Sequence, residues 1–194
     1  MKTNQNRINL LMSLRICLYI LLLVLGSCSS CRKEVDALPP ETQTGANTFG
    51  CLIDGKAYIP QKNSGFGAVE PVRAGYLTAL PPVFFNNTNV LVITKGGGAS
   101  FTIFLRNVNK IGAYPLNFDT SPYPQESYPQ NYASCSTSSG FYTTTTIHTG
   151  VVEITRADTI GGFVSGRFSF TGLDRTTNKT IQVTDGRFDC KTGL

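Results

Sequence analysis

Between residues 49 and 190, short runs of alternating apolar and polar side chains are broken by turns rich in Gly, Asp and Asn. That cadence confines the chain to an antiparallel β-fold. The clearest run is 163–171, where Val164, Phe168 and Phe170 fall on one face and Arg167, Ser169 and Thr171 on the other, a period of two. Asp54-Gly55 separates 49–53 from 56–59, and this dipeptide suits a type I′ hairpin turn, which needs positive φ at both central residues. Runs 89–94 and 100–105 flank Gly96-Gly97-Gly98 and are expected to pair. A third hairpin is expected where 142–147 and 150–156 flank His148-Thr149. A last one is expected where 179–184 and 187–190 flank Asp185-Gly186. Residues 61–88 are rich in Gly and Pro and hold one candidate strand, 74–80. About nine strands with no helical period predict an all-β antiparallel β-sandwich, with a β-barrel as the alternative.

Residues 1–27 stand outside that pattern. Lys2, Arg7 and Arg15 precede an apolar run over 16–25, which ends in Leu25-Gly26-Ser27-Cys28. The run is shorter than the roughly 20 residues a spanning helix needs, and it suits a secretory signal peptide. Residues 25–28 resemble a bacterial lipobox. The resemblance implies cleavage before Cys28, lipidation of its thiol and acylation of the new amino terminus. Two or more acyl chains anchor a protein stably, whereas one binds marginally. The spacing Cys28-Ser29-Ser30-Cys31 mimics a redox or zinc motif, but a lipidated Cys28 can serve neither. Residues 28–46 are polar, with Pro39-Pro40, and read as a flexible tether. Residues 47–194 then form a single all-β domain, long enough for one core.

Composition narrows the function classes. The chain has 194 residues, 15% of them charged and 41% hydrophobic, which excludes a charged disordered tail or a coiled coil. Its net charge of +5 owes three positive charges to Lys2, Arg7 and Arg15, so the processed chain carries +2. No basic cluster marks a nucleic-acid surface. Cys51, Cys135 and Cys190 are candidates for a disulfide in an envelope that tolerates such bonds. Their wide spacing does not suggest zinc, and no metal or cofactor is expected.

Catalytic signals are sparse. His148, the one histidine, falls at an expected hairpin tip, away from any recognisable nucleophile motif. The Gly96–98 triplet lacks the Gly-Lys-Ser/Thr and helix of a phosphate loop. Glu153, Asp174, Asp185 and Asp189 could furnish a glycosidase carboxylate pair. Asp185 and Asp189 are too sparse in oxygen ligands for a dedicated calcium site. The long segment 121–132 repeats Tyr-Pro-Gln and offers Tyr123, Tyr128 and Tyr132 as a candidate binding loop.

The segments 49–60 (FGCLIDGKAYIP), 152–159 (VEITRADT), 165–170 (SGRFSF) and 183–189 (VTDGRFD) resemble the opening and closing strands of an envelope lipoprotein domain family of Bacteroidota. The resemblance implies an all-β domain and transfers no catalytic residue, since the family's function is unknown. In that lineage Lys33-Glu34-Val35-Asp36 is a partial match to a surface-export tag. Ser29 after Cys28 points to the outer membrane, with its periplasmic or surface face left open. Asp158-Thr159-Ile160 resembles an O-glycosylation site at Thr159. The leading expectation is a non-catalytic, lipid-anchored module that binds an envelope protein or glycan. The alternatives are a carboxylate-dependent hydrolase of envelope glycan and a structural lipoprotein without a dedicated ligand.

Overall fold

The computed structural model describes residues 34–62, 70–77, 89–118 and 130–193. The signal peptide, Cys28, Cys31, Tyr123, Tyr128 and the last three residues of the expected strand 74–80 lie outside them. Apart from one helical turn at 34–36, the regular structure of the described residues is β-strands, paired antiparallel. Its strands are β1 (Thr48–Ile53), β2 (Lys56–Tyr58), β3 (Val72–Leu77), β4 (Asn89–Thr94), β5 (Ala99–Leu105), β6 (Gly112–Leu116), β7 (Tyr132–Thr137), β8 (Gly140–Thr143), β9 (Gly150–Asp158), β10 (Phe163–Asp174) and β11 (Lys179–Lys191).

All belong to one sheet in the order β2-β1-β11-β10-β8-β7-β5-β4-β3, with β9 branching from β10 to carry β6. The sheet curls into a half-barrel. Its β3 edge folds back onto the chain just past β11, where Ala74 bridges Thr192 and Gly193 N donates to Ala74 O at 3.1 Å. A single curled sheet buries its inner face against itself, so the architecture follows the barrel alternative rather than two stacked sheets. The core is aromatic at its centre. Phe49 lies 5.3 Å from Phe101 and 5.1 Å from Phe168, and Tyr58 lies 5.2 Å from Phe101, centroid to centroid. These rings join β1, β2, β5 and β10 across the fold.

Two expected hairpins are present. Asp54 and Gly55 have φ of 48° and 80°, with Ile53 opposite Lys56, and β4 pairs with β5 across the glycine triplet. The other two are corrected. Around His148 no hairpin forms: β8 pairs with β7 and, at Thr143, with Leu173 of β10, while β9 pairs with residues 163–170 of β10. β8 and β9 therefore lie end to end along one edge of β10, joined by a turn that Thr145 closes through Oγ1 to His148 N at 2.9 Å.

At Asp185-Gly186 the chain does not reverse. β11 runs on through a bulge, where the register passes from Phe168↔Gly186 to Phe170↔Val183 and Asp185 takes φ 52°. Glycine is needed here because a Cβ on Gly186 would stand 2.6 Å from the Phe168 ring. The last hairpin is instead β10–β11. Asp174 caps it, accepting Thr176 N at 2.8 Å and Thr177 Oγ1 at 2.9 Å.

Candidate functional site

The most elaborate polar arrangement lies on the outer face of β1, β11, β10 and β9. Inward-facing Phe49, Phe188 and Phe168 fix the pleat, so the intervening residues point out. Strand register aligns one outward rung, Gly50–Arg187–Arg167–Glu153. The neighbouring rung holds Thr48, Asp189 and Ser165.

Residues 34–46, read from sequence as part of the tether, are laid across this face as a strap. Glu34 Oε2 accepts Ala57 N at the open edge of β2, at 2.8 Å. Leu38 is buried. Pro39 crosses Gly50 so closely that a Cβ there would lie 2.5 Å from its Cδ. Glu41 then meets Arg167, with Oε2 2.6 Å from Nη2.

Asp189, which the sequence marks only as one of four carboxylates able to furnish a glycosidase pair, is the strap's fastening. It is 1% exposed. Its Oδ2 accepts Thr42 Oγ1 at 2.6 Å, Thr44 N at 2.9 Å, Thr44 Oγ1 at 3.4 Å and Ala46 N at 3.1 Å. Its Oδ1 accepts Gly45 N at 2.8 Å and Ser165 Oγ at 2.7 Å. Burial pushes the carboxyl's pKa up, but the donors from Thr42, Thr44, Ser165 and Ala46 together outweigh it. The net effect holds Asp189 well below the usual carboxylate range. The signal in sequence was only the cluster of small residues at 42–46, whose amides can converge on an anion.

Two hollows flank the Glu41–Arg167 pair. One, of about 170 Å³, lies under Pro40–Gln43 and reaches Thr155 and Arg187. The other, of about 270 Å³, opens between Glu41, Glu153, Arg167, Asp185 and Arg187. Arg167 and Arg187 line both. Arg167 is held by Glu41 and, at 3.9 Å, by Glu153. Arg187 is half-buried, and its described bonds go to neutral carbonyls: Asp185 O at 3.4 Å from Nε and Pro39 O at 3.4 Å from Nη1.

The structure disperses the other candidate residues. Tyr132 does not stand in a loop: it begins β7, is 9% exposed and stacks on Phe104 at 5.7 Å. Its ring completes the apolar packing that register sets opposite it. Cys51, Cys135 and Cys190 are buried free thiols rather than partners in a bridge. They fill the core as small hydrophobes, Cys51 facing Tyr58 and Cys135 facing Phe101 and Tyr142. Burial pushes the Cys135 and Cys190 thiols up to about 12. Thr159 is exposed in the β9–β10 turn. Asp174 is consumed by the β10–β11 hairpin and Asp189 by the strap, and Asp185 sits on the bulge. Glu153 projects from the outer face of β9 toward Arg167, 3.9 Å away.

No curated protein and no solved structure is matched by this chain. The closing-strand segments at 152–159, 165–170 and 183–189 fall within a family match that ends at Asp189, whereas 49–60 and the strap precede it. Over residues 83–189, more than half its length, the chain belongs to the family described as Domain of unknown function (DUF6252).

Proposed function

We propose that the protein is a lipid-anchored, non-catalytic binding module of the bacterial outer membrane. Its ligand contact lies at the hollows beside Arg187, where an anionic group of an envelope glycan or protein is received. The observation that carries this is Arg187 itself. It is a half-buried guanidinium shared by two hollows, with long bonds to carbonyls and no carboxylate partner among the described residues. A planar fork of donors in that state suits a carboxylate or phosphate, which it can grip with two parallel bonds. Glu41 and Glu153 orient Arg167 beside it and set the shape of the site.

Its non-catalytic character is supported by the carboxylates. Asp174 and Asp189 are occupied by hydrogen bonds within the fold, and Glu41 and Glu153 both face Arg167 rather than pairing with each other as an acid and a base. The anchor is supported by the lipobox at residues 25–28 and the charged residues before it.

The test is an NMR titration of the processed protein with glucuronate and, separately, inorganic phosphate. Saturable shifts centred on Arg187 and lost in R187A are expected. Shifts that never saturate, or that persist in R187A, would refute the site.

A further inference from the structure

We infer that the half-barrel's β2 edge is the side held against the bilayer, with Lys56, Ile59 and Lys95 meeting phospholipid headgroups. This rests on the lipid-anchor reading of Cys28. The argument is one of chain length. Six residue steps separate Cys28 from Glu34, and even a fully extended chain spans no more than about 20 Å over that distance. Glu34 is itself fixed in place, its carboxylate capping Ala57 N on the side of β2 that pairs with no strand among the described residues. That contact also covers an otherwise open strand edge. A domain of this size is about 40 Å across. The acyl chains can therefore enter the membrane only if the side bearing Glu34 faces it.

That side carries groups suited to the interface. Lys56 and Lys95 are exposed and have no ion pair among the described residues. Ile59 is 41% exposed. The β4–β5 loop is tied to the end of β2 by Tyr58 Oη, whose single proton is shared between Gly96 O and Ala99 O, 2.9 Å away each. Lys95 is thereby brought beside the segment that follows β2. Long lysine stems can lie along apolar lipid while their ammonium groups reach phosphate.

The β9–β10 turn lies at the opposite end. Phe163 is seven residues along β10 from the level of β2, and β9 is four strands away in the sheet. At strand spacings this places Ile160 about 30 Å from the anchor point. Ile160 is 99% exposed.

The test uses the full chain, produced with its own signal and reconstituted in phosphatidylethanolamine–phosphatidylglycerol vesicles. Fluorophores are placed at K56C, K95C or I160C in a C31S background, and the vesicles carry a headgroup-attached nitroxide quencher. Severalfold stronger quenching at positions 56 and 95 than at 160 is expected. A Gly-Ser insertion after Lys33, about as long as the domain is wide, should abolish that bias while the protein still floats with vesicles. If the native chain floats and all three positions are quenched alike, the orientation is overturned and the anchor stands. If the native chain and C28A alike fail to float, the anchor reading falls, and the orientation with it.

Discussion

Replacing Asp189 by Asn tests whether the strap is an integral part of the fold. The carboxylate accepts six hydrogen bonds, five of them from residues 42–46. An amide keeps the shape but removes the charge from all six. It also turns an NH2 group toward donors whichever way it is placed. One side meets Gly45 N and Ser165 Oγ, and the other meets Thr44 N and Ala46 N. Bonds to charged groups contribute about 1.5–3 kcal/mol each, and a buried N–H left facing a donor costs about 1–3 kcal/mol. Allowing for relaxation of an exposed strap, D189N should lose about 3–5 kcal/mol. For a domain of this size, that lowers Tm by about 10–15 °C.

The pH dependence has a definite sign. Asp189 has a lower pKa folded than unfolded, so its contribution is complete above the unfolded value of about 3.9. It drains as pH falls toward the folded value, by at most about 1.4 kcal/mol per pH unit. Asp158 and Asp174 are also shifted down, by hydrogen bonds from Gly161 and from Thr176 and Thr177. The informative quantity is therefore the difference between wild type and variant. Urea denaturation followed by circular dichroism at neutral pH and at about pH 3 should show the gap narrowing in acid. A gap below about 0.5 kcal/mol at neutral pH, or one that does not change in acid, would refute the reasoning.

Other consequences follow from the same geometry. Gly186→Ala should destabilise by about 1–3 kcal/mol through overpacking against Phe168, read as a lower urea midpoint. Phe101→Ala should cost about 3–5 kcal/mol, because its ring touches Phe49, Tyr58, Phe168 and Phe170. Iodoacetamide at neutral pH should leave Cys51, Cys135 and Cys190 unmodified until urea is added, since burial raises all three thiols. Peptide mass spectrometry gives the result directly. A chain beginning at Asn47 should be less stable than one beginning at Glu34, because it lacks Leu38 and five of the donors to Asp189. Equal melting temperatures would mean that the strap is a passive tether.

How much of this was legible in the sequence is best judged at two identical dipeptides. Asp54-Gly55 and Asp185-Gly186 both put their aspartate at positive φ, 48° and 52°, so local propensity described each residue correctly. One pair ends a strand and the other does not. What separates them is non-local. Around residue 185, β1 lies on one side of β11 and β10 on the other, and their ladders continue past the bulge. A chain flanked on both sides gains more by bulging than by turning back.

The same cause explains the missed β6 and β7. Pro115 in β6 marks an edge position, and residues 134–137 of β7, three small polar residues around Cys135, lack the large apolar side chains that make alternation legible. Each became a strand because a long neighbour supplied the ladder. The period-two pattern of residues 163–171, by contrast, needed no partner to be read, and it places Arg167 outward as observed. The site was only half legible for a related reason. Outward Arg167 and Glu153 follow from alternation. The strap follows from a buried anion, and its donors are mostly backbone amides, which every sequence possesses. An Asp at an outward position near a chain end, facing a run of small residues 140 or more positions away, becomes a fastening only once the sheet has curled and brought the two together.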